Sequence, residues 1–401
     1  MVRGALLAMG LAGFGLSPAV QAALPAAPPP PSLAASAAIL IDGRTGQILY
    51  GRNIRGEYYP ASITKIMTAY LAITRAWNRT VTVSPAASSQ IGSSCYLRSG
   101  ETDPMSAVVD CMMLVSGNDA AYAVAQTVSG HVAPFVQLMN ATARSWHAPG
   151  IHFANPSGLP NPHHVVTALG MAIIAQHAMQ NPIFRTIVKT RVTTLPPDPG
   201  PRIYYNQNRL LYTYPGALGI KIGYTIEADE TIVAAADRNG MYLIEVLLHD
   251  TPNGLWPDAA HLLTWGFDHF HAATLIRARQ SLGVVKVGGG RPVPVVSAAA
   301  VSYLVPDGVA HPAWTLRRHL FLLSANRAIR AGQQIGTATV LQGDKPVGRI
   351  ILLAQRAIAP LPPHIRWRWP WLIVPVVVFA AVRGRRRSVR GGHPMRPSQS
   401  S

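Results

Sequence analysis

Over residues 36–50 (SAAILIDGRTGQILY) two short apolar runs flank Asp42-Gly43-Arg44-Thr45-Gly46, a pattern that predicts a β-hairpin. The period then lengthens. Ile63, Ile66, Met67, Tyr70 and Leu71 recur at helical spacing with no Gly or Pro, so residues 63–73 are expected as a helix with one buried face. Further helices are expected over 104–115, 120–128 and 166–179, the last ended by Asn181-Pro182. Three apolar runs, 218–224, 231–237 and 241–248, read as strands, the last two joined by the turn Arg238-Asn239-Gly240. A helix over 259–270 closes this region. From 278 to 355 the texture changes to short Val-rich runs broken by Gly and Pro, which predicts a small all-β module.

Composition narrows the class. The chain has 401 residues, 49% of them apolar, which excludes disorder throughout and is enough for two folded domains. Two cysteines, Cys95 and Cys111, exclude a disulfide-stapled miniprotein; both lie in apolar surroundings, and the sequence leaves open whether they pair. The net charge of +18 suggests nucleic acid until it is located. Residues 366–401 carry eight Arg and no acid, and Arg3 adds a ninth, so +18 less nine leaves +9 for the body. The arginine tail is a membrane flank, and no nucleic-acid partner is expected.

Both ends point to the cell envelope. Residues 1–22 join Arg3 to an apolar stretch and end in Val20-Gln21-Ala22, small residues at the −3 and −1 positions of a signal-peptidase site. A Pro-rich linker follows over 23–34. Near the other end, Trp367, Trp369 and Trp371 lead into LIVPVVVFAAV and then Arg383-Gly384-Arg385-Arg386-Arg387. Interfacial tryptophans at one edge and arginines at the other mark a membrane segment over 367–383, spanning the bilayer or lying on it. The basic residues 384–401 would stay cytoplasmic and the body outside.

The sharpest chemical feature is Ser62-Ile63-Thr64-Lys65. On a helix, three-residue spacing puts the Ser62 hydroxyl and the Lys65 ammonium on one face. A serine needs a base to become a nucleophile at neutral pH, and a desolvated lysine can supply it. In isolation such a pair is equally an N-cap serine followed by a surface lysine. Here Ser116-Gly117-Asn118 follows after an apolar helix and Lys221-Ile222-Gly223 stands on an expected strand. Ser-x-x-Lys, Ser-x-Asn and Lys-[Thr/Ser]-Gly in this order are the set of the penicillin-recognising serine enzymes. The stretches AAILIDGRTGQILYGRN, YYPASITKIMTAYLAI, IGSSCYLRSGE, LVSGNDAAYAVAQ, FVQLMNATA, HFANPSGLPNPHH and LLTWGFDHF all resemble the D-alanyl-D-alanine carboxypeptidases, the low-molecular-mass penicillin-binding proteins, over roughly 35–355.

That resemblance implies an α+β fold. A penicillin-binding-protein/β-lactamase-like transpeptidase domain over 35–275, an antiparallel sheet flanked by helices plus a helical cluster, would precede a β-rich domain over 276–357, a linker over 358–366 and the membrane segment. It implies a serine carboxypeptidase that removes the terminal D-alanine from peptidoglycan stem peptides, takes β-lactams as covalent inhibitors and uses neither cofactor nor metal. Ser62 would be the nucleophile, Lys65 its base and Ser116 the proton donor to the leaving D-alanine. Asn118 would bind the substrate amide and orient Lys65, Lys221 would attract the terminal carboxylate, and the N–H groups of Ser62 and Tyr224 would form the oxyanion hole.

Three departures stand out. Ile222 replaces the usual Thr or Ser, whose hydroxyl donates to the substrate carboxylate, and its branched side chain is expected to point where substrate lies. Thr225 is no substitute, because odd and even strand positions face opposite sides. The arginine that many members carry before the Trp-Gly-Phe helix is missing from His249–Pro257, and Ala228-Asp229-Glu230 puts two acids nearby. The alternative these departures raise is a catalytically weakened or specialised peptidoglycan-binding homologue. A class A β-lactamase would need a further glutamate; the five present, at 57, 101, 227, 230 and 245, begin no Glu-x-x-Leu-Asn segment. No His-Glu-x-x-His occurs, and His163-His164 reads as a solvated loop pair.

Overall fold

The computed structural model describes residues 29–195, 202–308, 313–324, 326–342 and 344–360. The expected signal peptide, the first half of the Pro-rich linker (residues 23–28), the membrane segment and the basic tail lie outside these residues. Among the described residues no helix is long and apolar enough to cross a membrane.

The expected hairpin is formed by β1 (Ala37–Asp42) and β2 (Ile48–Arg52). The Ser-x-x-Lys segment then makes a short 3-10 turn, Ala61–Thr64, before α1 (Lys65–Ala76), so Ser62 stands on the turn ahead of the α-helix. The helical cluster is α2 (Met105–Leu114), α3 (Asn118–Ser129), α4 (Val132–Ser145), α5 (Ala168–Met179) and α6 (Pro182–Lys189). Asn181-Pro182 ends α5 as expected but also begins α6. The Asn181 side chain caps the N–H groups of Ile183 and Phe184, and proline fits the first helical position, where its missing N–H costs nothing.

Strands β3 (Ala217–Thr225), β4 (Asp229–Arg238) and β5 (Met241–Asp250) complete an antiparallel sheet of order β2-β1-β5-β4-β3. Both sheet faces are buried, and the two-residue period sorts the side chains between them. Ile39, Ile41, Val233, Ala235, Ile244 and Val246 pack on the helical cluster. Ala38, Leu40, Ile232, Ala234, Leu243 and Leu247 pack beneath α7 (Leu255–His269). That helix starts four residues earlier than the pattern suggests, since Pro257 falls in its first turn and disrupts nothing. Glu245 lies fully buried on the α7 face, where burial and the nearby Asp258 and Asp250 push its carboxyl well above the usual range.

The all-β module begins earlier than expected, directly after α7. A two-stranded sheet of β6 (Phe270–Ile276) and β9 (Val301–Pro306) accompanies a five-stranded sheet. The latter has the order β7-β8-β12-β11-β10, from β7 (Ser281–Val287), β8 (Arg291–Ser297), β10 (Thr315–Leu320), β11 (Gln334–Gln342) and β12 (Lys345–Ala354). Its separate core includes Ile276, Val293, Val295, Ile335, Val340 and Leu352.

Candidate active site

The site forms where the 3-10 turn meets the edge strand β3. Gly223 makes the contact possible: a methyl there would press on the Ser62 nitrogen and on Ala61. Gly158 approaches from the other side with φ +95°, and a methyl on it would collide with the Ala61 carbonyl. Glycine at both positions leaves the Ser62 N–H unobstructed. Thr231 of β4 fixes the turn to the sheet, its hydroxyl lying 3.0 Å from the Pro60 carbonyl oxygen and 3.1 Å from that of Gly223.

Lys65 is fully buried. Its Nζ lies 2.9 Å from Ser62 Oγ, 2.7 Å from Asn118 Oδ1 and 2.6 Å from the Ser157 carbonyl oxygen. Burial, reinforced by the positive charge of Lys221, holds its pKa well below that of an ordinary lysine, against an opposing pull from Asp119. An uncharged amine beside a serine hydroxyl is what a general base requires. Lys221 is also buried, with its Nζ 3.1 Å from the Ile222 carbonyl oxygen, and burial lowers its pKa to about 7. Ser116 adopts a strained φ of +68°, and its Oγ is buried with no hydrogen-bond partner. Tyr224 is 56% exposed at the mouth.

The structure brings Ser62 and Asn118 into direct contact with Lys65, sets Lys221 close enough to act on Lys65 electrostatically, and places the buried Ser116 two residues before Asn118 and Tyr224 on the strand of Lys221. Sequence reasoning assigned no role to several residues that hold them there. The Asn155 side chain accepts from the N–H groups of Ser157 and Gly158, which sets the Ser157 carbonyl on Lys65. Thr64, inside the first motif, hydrogen-bonds His164 at 3.0 Å. His164 is not the solvated residue expected: it is buried, whereas His163 is exposed. Burial, with the charges of His152 and Lys65, lowers the His164 pKa to about 3, so the ring is neutral. The stretch HFANPSGLPNPHH contains Asn155, Ser157, Gly158 and His164 and was the available signal, while Thr64 lies inside the first motif.

Ile222 also differs from expectation. It pairs with Ile232 and packs on the α7 core, the opposite face of β3 from Lys221. Its bulk thus fills the apolar side of the strand, while the missing hydroxyl remains missing. Thr225 is engaged locally, accepting from the Ala228 N–H at 3.1 Å. His249, in the segment without the arginine, lies 3.4 Å from Asp229 and beside Tyr58.

The second motif rests on the loop 91–97. Asn118 donates its backbone N–H to Ser93 O and its side-chain amide to Ile91 O, both at 2.7 Å. Asp119 accepts from the Cys95 N–H, the Leu97 N–H and the Ser94 hydroxyl. Cys95 and Cys111 are paired, Cα–Cα 6.1 Å, which ties the loop to α2, and Gly117 packs directly on Cys95.

A serine held against a buried, deprotonation-prone lysine, with a second lysine and a buried serine beside it, defines an acyl-transferring serine hydrolase. The family model described as D-alanyl-D-alanine carboxypeptidase matches residues 24–251. Curated relatives include DacB2 of Mycobacterium tuberculosis, a D-alanyl-D-alanine carboxypeptidase 34% identical over 246 residues, 60% of this chain and 84% of the relative. DacF of Bacillus subtilis is 30% identical over 325 residues, 78% of this chain and 82% of the relative. Among solved structures, penicillin binding protein 5 from Haemophilus influenzae superposes with a TM-score of 0.68 at 26% identity, over 82% of this chain and 99% of that one. This chain belongs to the D-alanyl-D-alanine carboxypeptidase family of serine peptidases.

Proposed function

We propose that the protein is a serine-type D-Ala-D-Ala carboxypeptidase that trims the terminal D-alanine from peptidoglycan stem peptides and is acylated by β-lactams. The observation that carries this reading is the 2.9 Å contact between Ser62 Oγ and a buried Lys65 whose pKa is strongly lowered. Ser62 Oγ attacks the carbonyl carbon of the penultimate D-alanine as Lys65 takes its proton. The developing oxyanion is received by the N–H groups of Ser62 and Tyr224, each worth about 2.7–4 kcal/mol in such a site. The C–N bond breaks as the Ser116 hydroxyl passes a proton to the departing amine and is itself reprotonated by the Lys65 ammonium, leaving the acyl chain as an ester on Ser62 and Lys65 again a free amine. Water then attacks the ester carbon as Lys65 takes its proton, the C–O bond to Ser62 breaks, and Lys65 returns the proton to Ser62 Oγ, which releases the shortened peptide. Asn118 holds Lys65 in place and lies within reach of the substrate amide, and Lys221 draws the terminal carboxylate.

Export by residues 1–22 and tethering by 367–383, with the catalytic region outside the membrane, belong to the same proposal. They rest on the sequence of those segments. The direct test is release of D-alanine from a tripeptide ending in D-Ala-D-Ala by wild type and Ser62→Ala. Release that disappears in the variant is expected; none from intact protein would refute the activity.

A further inference from the structure

The catalytic region faces the module through the turn Gly240–Tyr242 of its sheet. There a cavity of about 450 Å³ is lined by that turn and by Ala300–Leu304 and Val347–Arg349 of the module. The active site lies at the other end of the same sheet, where Gly223 pairs with Thr231. Within the module, β12 runs from Val347 at the cavity to Ala354, a span of about 23 Å at the rise of a strand. The end of the module beyond Ala354 is thus its pole remote from this cavity.

That pole carries an unusual loop. After β10 come Phe321, Leu322, Leu323 and Ser324. Leu320 and Leu323 turn back onto the module core, while Phe321 is 41% and Leu322 104% exposed. Two adjacent bulky apolar side chains held out in water mark a contact surface rather than ordinary surface scatter. A buried arginine fixes this loop beside the end of the described chain. Arg291 donates to the carbonyl oxygens of Ser324 (2.8 Å), Arg327 (2.8 Å) and Ala359 (3.2 Å). Ile329 and Ile358 exchange two further backbone hydrogen bonds of 2.9 Å. The chain therefore leaves the module next to Leu322, and its onward sequence is LPPHIRWRWPWLIVPVVVFAAV followed by RGRRR.

Charge agrees with this placement. Residues 276–357 contain eleven Lys and Arg and two Asp. Both acids lie toward the catalytic region: Asp307 donates its N–H to His269, and Asp344 sits in the β11–β12 turn. Arg317, Arg318, Arg327, Arg330 and Arg356 are exposed around the loop and the exit.

We infer that the Phe321–Leu322 tip with its collar of arginines is a bilayer-docking surface. The two apolar side chains enter the acyl boundary of the membrane that receives residues 367–383, and the guanidinium groups meet anionic lipid phosphates. This rests in part on the tether proposed above. It goes further by assigning a second contact, one that stands the module upright and holds the active site away from the lipid.

The test uses the full chain. Because Cys95 and Cys111 are paired, Leu322→Cys provides the one free thiol among the described residues for an environment-sensitive fluorophore. Arg75→Cys, exposed on α1, serves as the control site. Both labelled proteins are mixed with vesicles of phosphatidylcholine and phosphatidylglycerol carrying a spin-label quencher in the acyl chains, and unchanged D-alanine release confirms their folding. A probe at 322 seated at the acyl boundary is expected to lose about half its emission or more, with the probe at 75 unaffected. A chain that floats with the vesicles while probe 322 stays bright would overturn the docking surface and leave the tether standing. Neither flotation nor quenching would overturn both. A blue shift without vesicles that grows with protein concentration would assign the tip to a second copy of the chain, and equal quenching in phosphatidylcholine alone would remove the arginine collar.

Discussion

Two lysines in one buried site give the protein a specific pH signature. Burial and the charge of Lys221 hold the Lys65 pKa well below that of an ordinary lysine, which favours the free amine that a general base needs. Lys221, lowered to about 7, carries its positive charge below that pH and loses it above. For D-alanine release, kcat/KM is therefore expected to fall as pH rises through about 7. The corresponding fall in kcat should come higher, because a bound carboxylate stabilises the ammonium. A kcat/KM that stays level into the alkaline range would show that Lys221 titrates as an ordinary lysine. Ile222 supports a second expectation. Its side chain rests on the α7 core, on the face of β3 opposite Lys221, so Ile222→Thr exchanges apolar packing for a buried hydroxyl on the side away from substrate. The variant should lose about 1–3 kcal/mol of stability while kcat/KM changes by less than about twofold. A rise in kcat/KM of about tenfold would show instead that the side chain at 222 reaches the substrate carboxylate. The side chains carrying the chemistry were legible in sequence because their types and spacing are distinctive. The Ser157 carbonyl was not, since a backbone oxygen has no sequence identity. His164 was misread because its burial is decided by Thr64, a hundred residues away in the chain.

At the scale of elements, periodicity located the hairpin, α1, α2, α3, α5 and the three sheet strands to within a few residues, but not α4 over Val132–Ser145. It missed what is settled by local capping, such as α6 behind the Asn181 cap, and the start of the module at β6, where helix passes into strand without a turn signal. The pairing of Cys95 with Cys111 was also beyond it, because an apolar setting suits a buried thiol as well as a bridge. The structure gives that bridge a purpose. It ties the loop 91–97, whose carbonyls hold Asn118, to α2, which leads into Ser116. Closing a loop of 16 residues is worth about 3 kcal/mol. Cys95→Ala/Cys111→Ala should lose that stability, measured by denaturant unfolding. At a temperature where the variant is still folded, its kcat should fall about tenfold with KM nearly unchanged, because misplacing Ser116 and Asn118 harms proton transfer more than binding. Full kcat in the folded variant would show that the Asp119 bonds suffice to hold the loop.

Across the whole molecule the cores divide unevenly. The two clusters on either side of the catalytic sheet share strands β1, β3, β4 and β5 and must melt together, whereas the module has a core of its own. The join between them is thin in polar contacts: Gln47 exchanges hydrogen bonds with both the N–H and the carbonyl of Leu304, and Phe270 and Leu304 reach into the α7 cluster. Units joined in this way unfold as separate cooperative steps unless their interface is large and apolar. Calorimetry should accordingly resolve two transitions, one for residues up to about β6 and one for the module. A β-lactam that acylates Ser62 binds only the folded catalytic region, so it should raise one transition and leave the other where it was. A single transition that moves as a whole on acylation would show that the module is an integral part of the catalytic fold. The upright spacer inferred above would then be stiffened by shared folding rather than by contact with lipid.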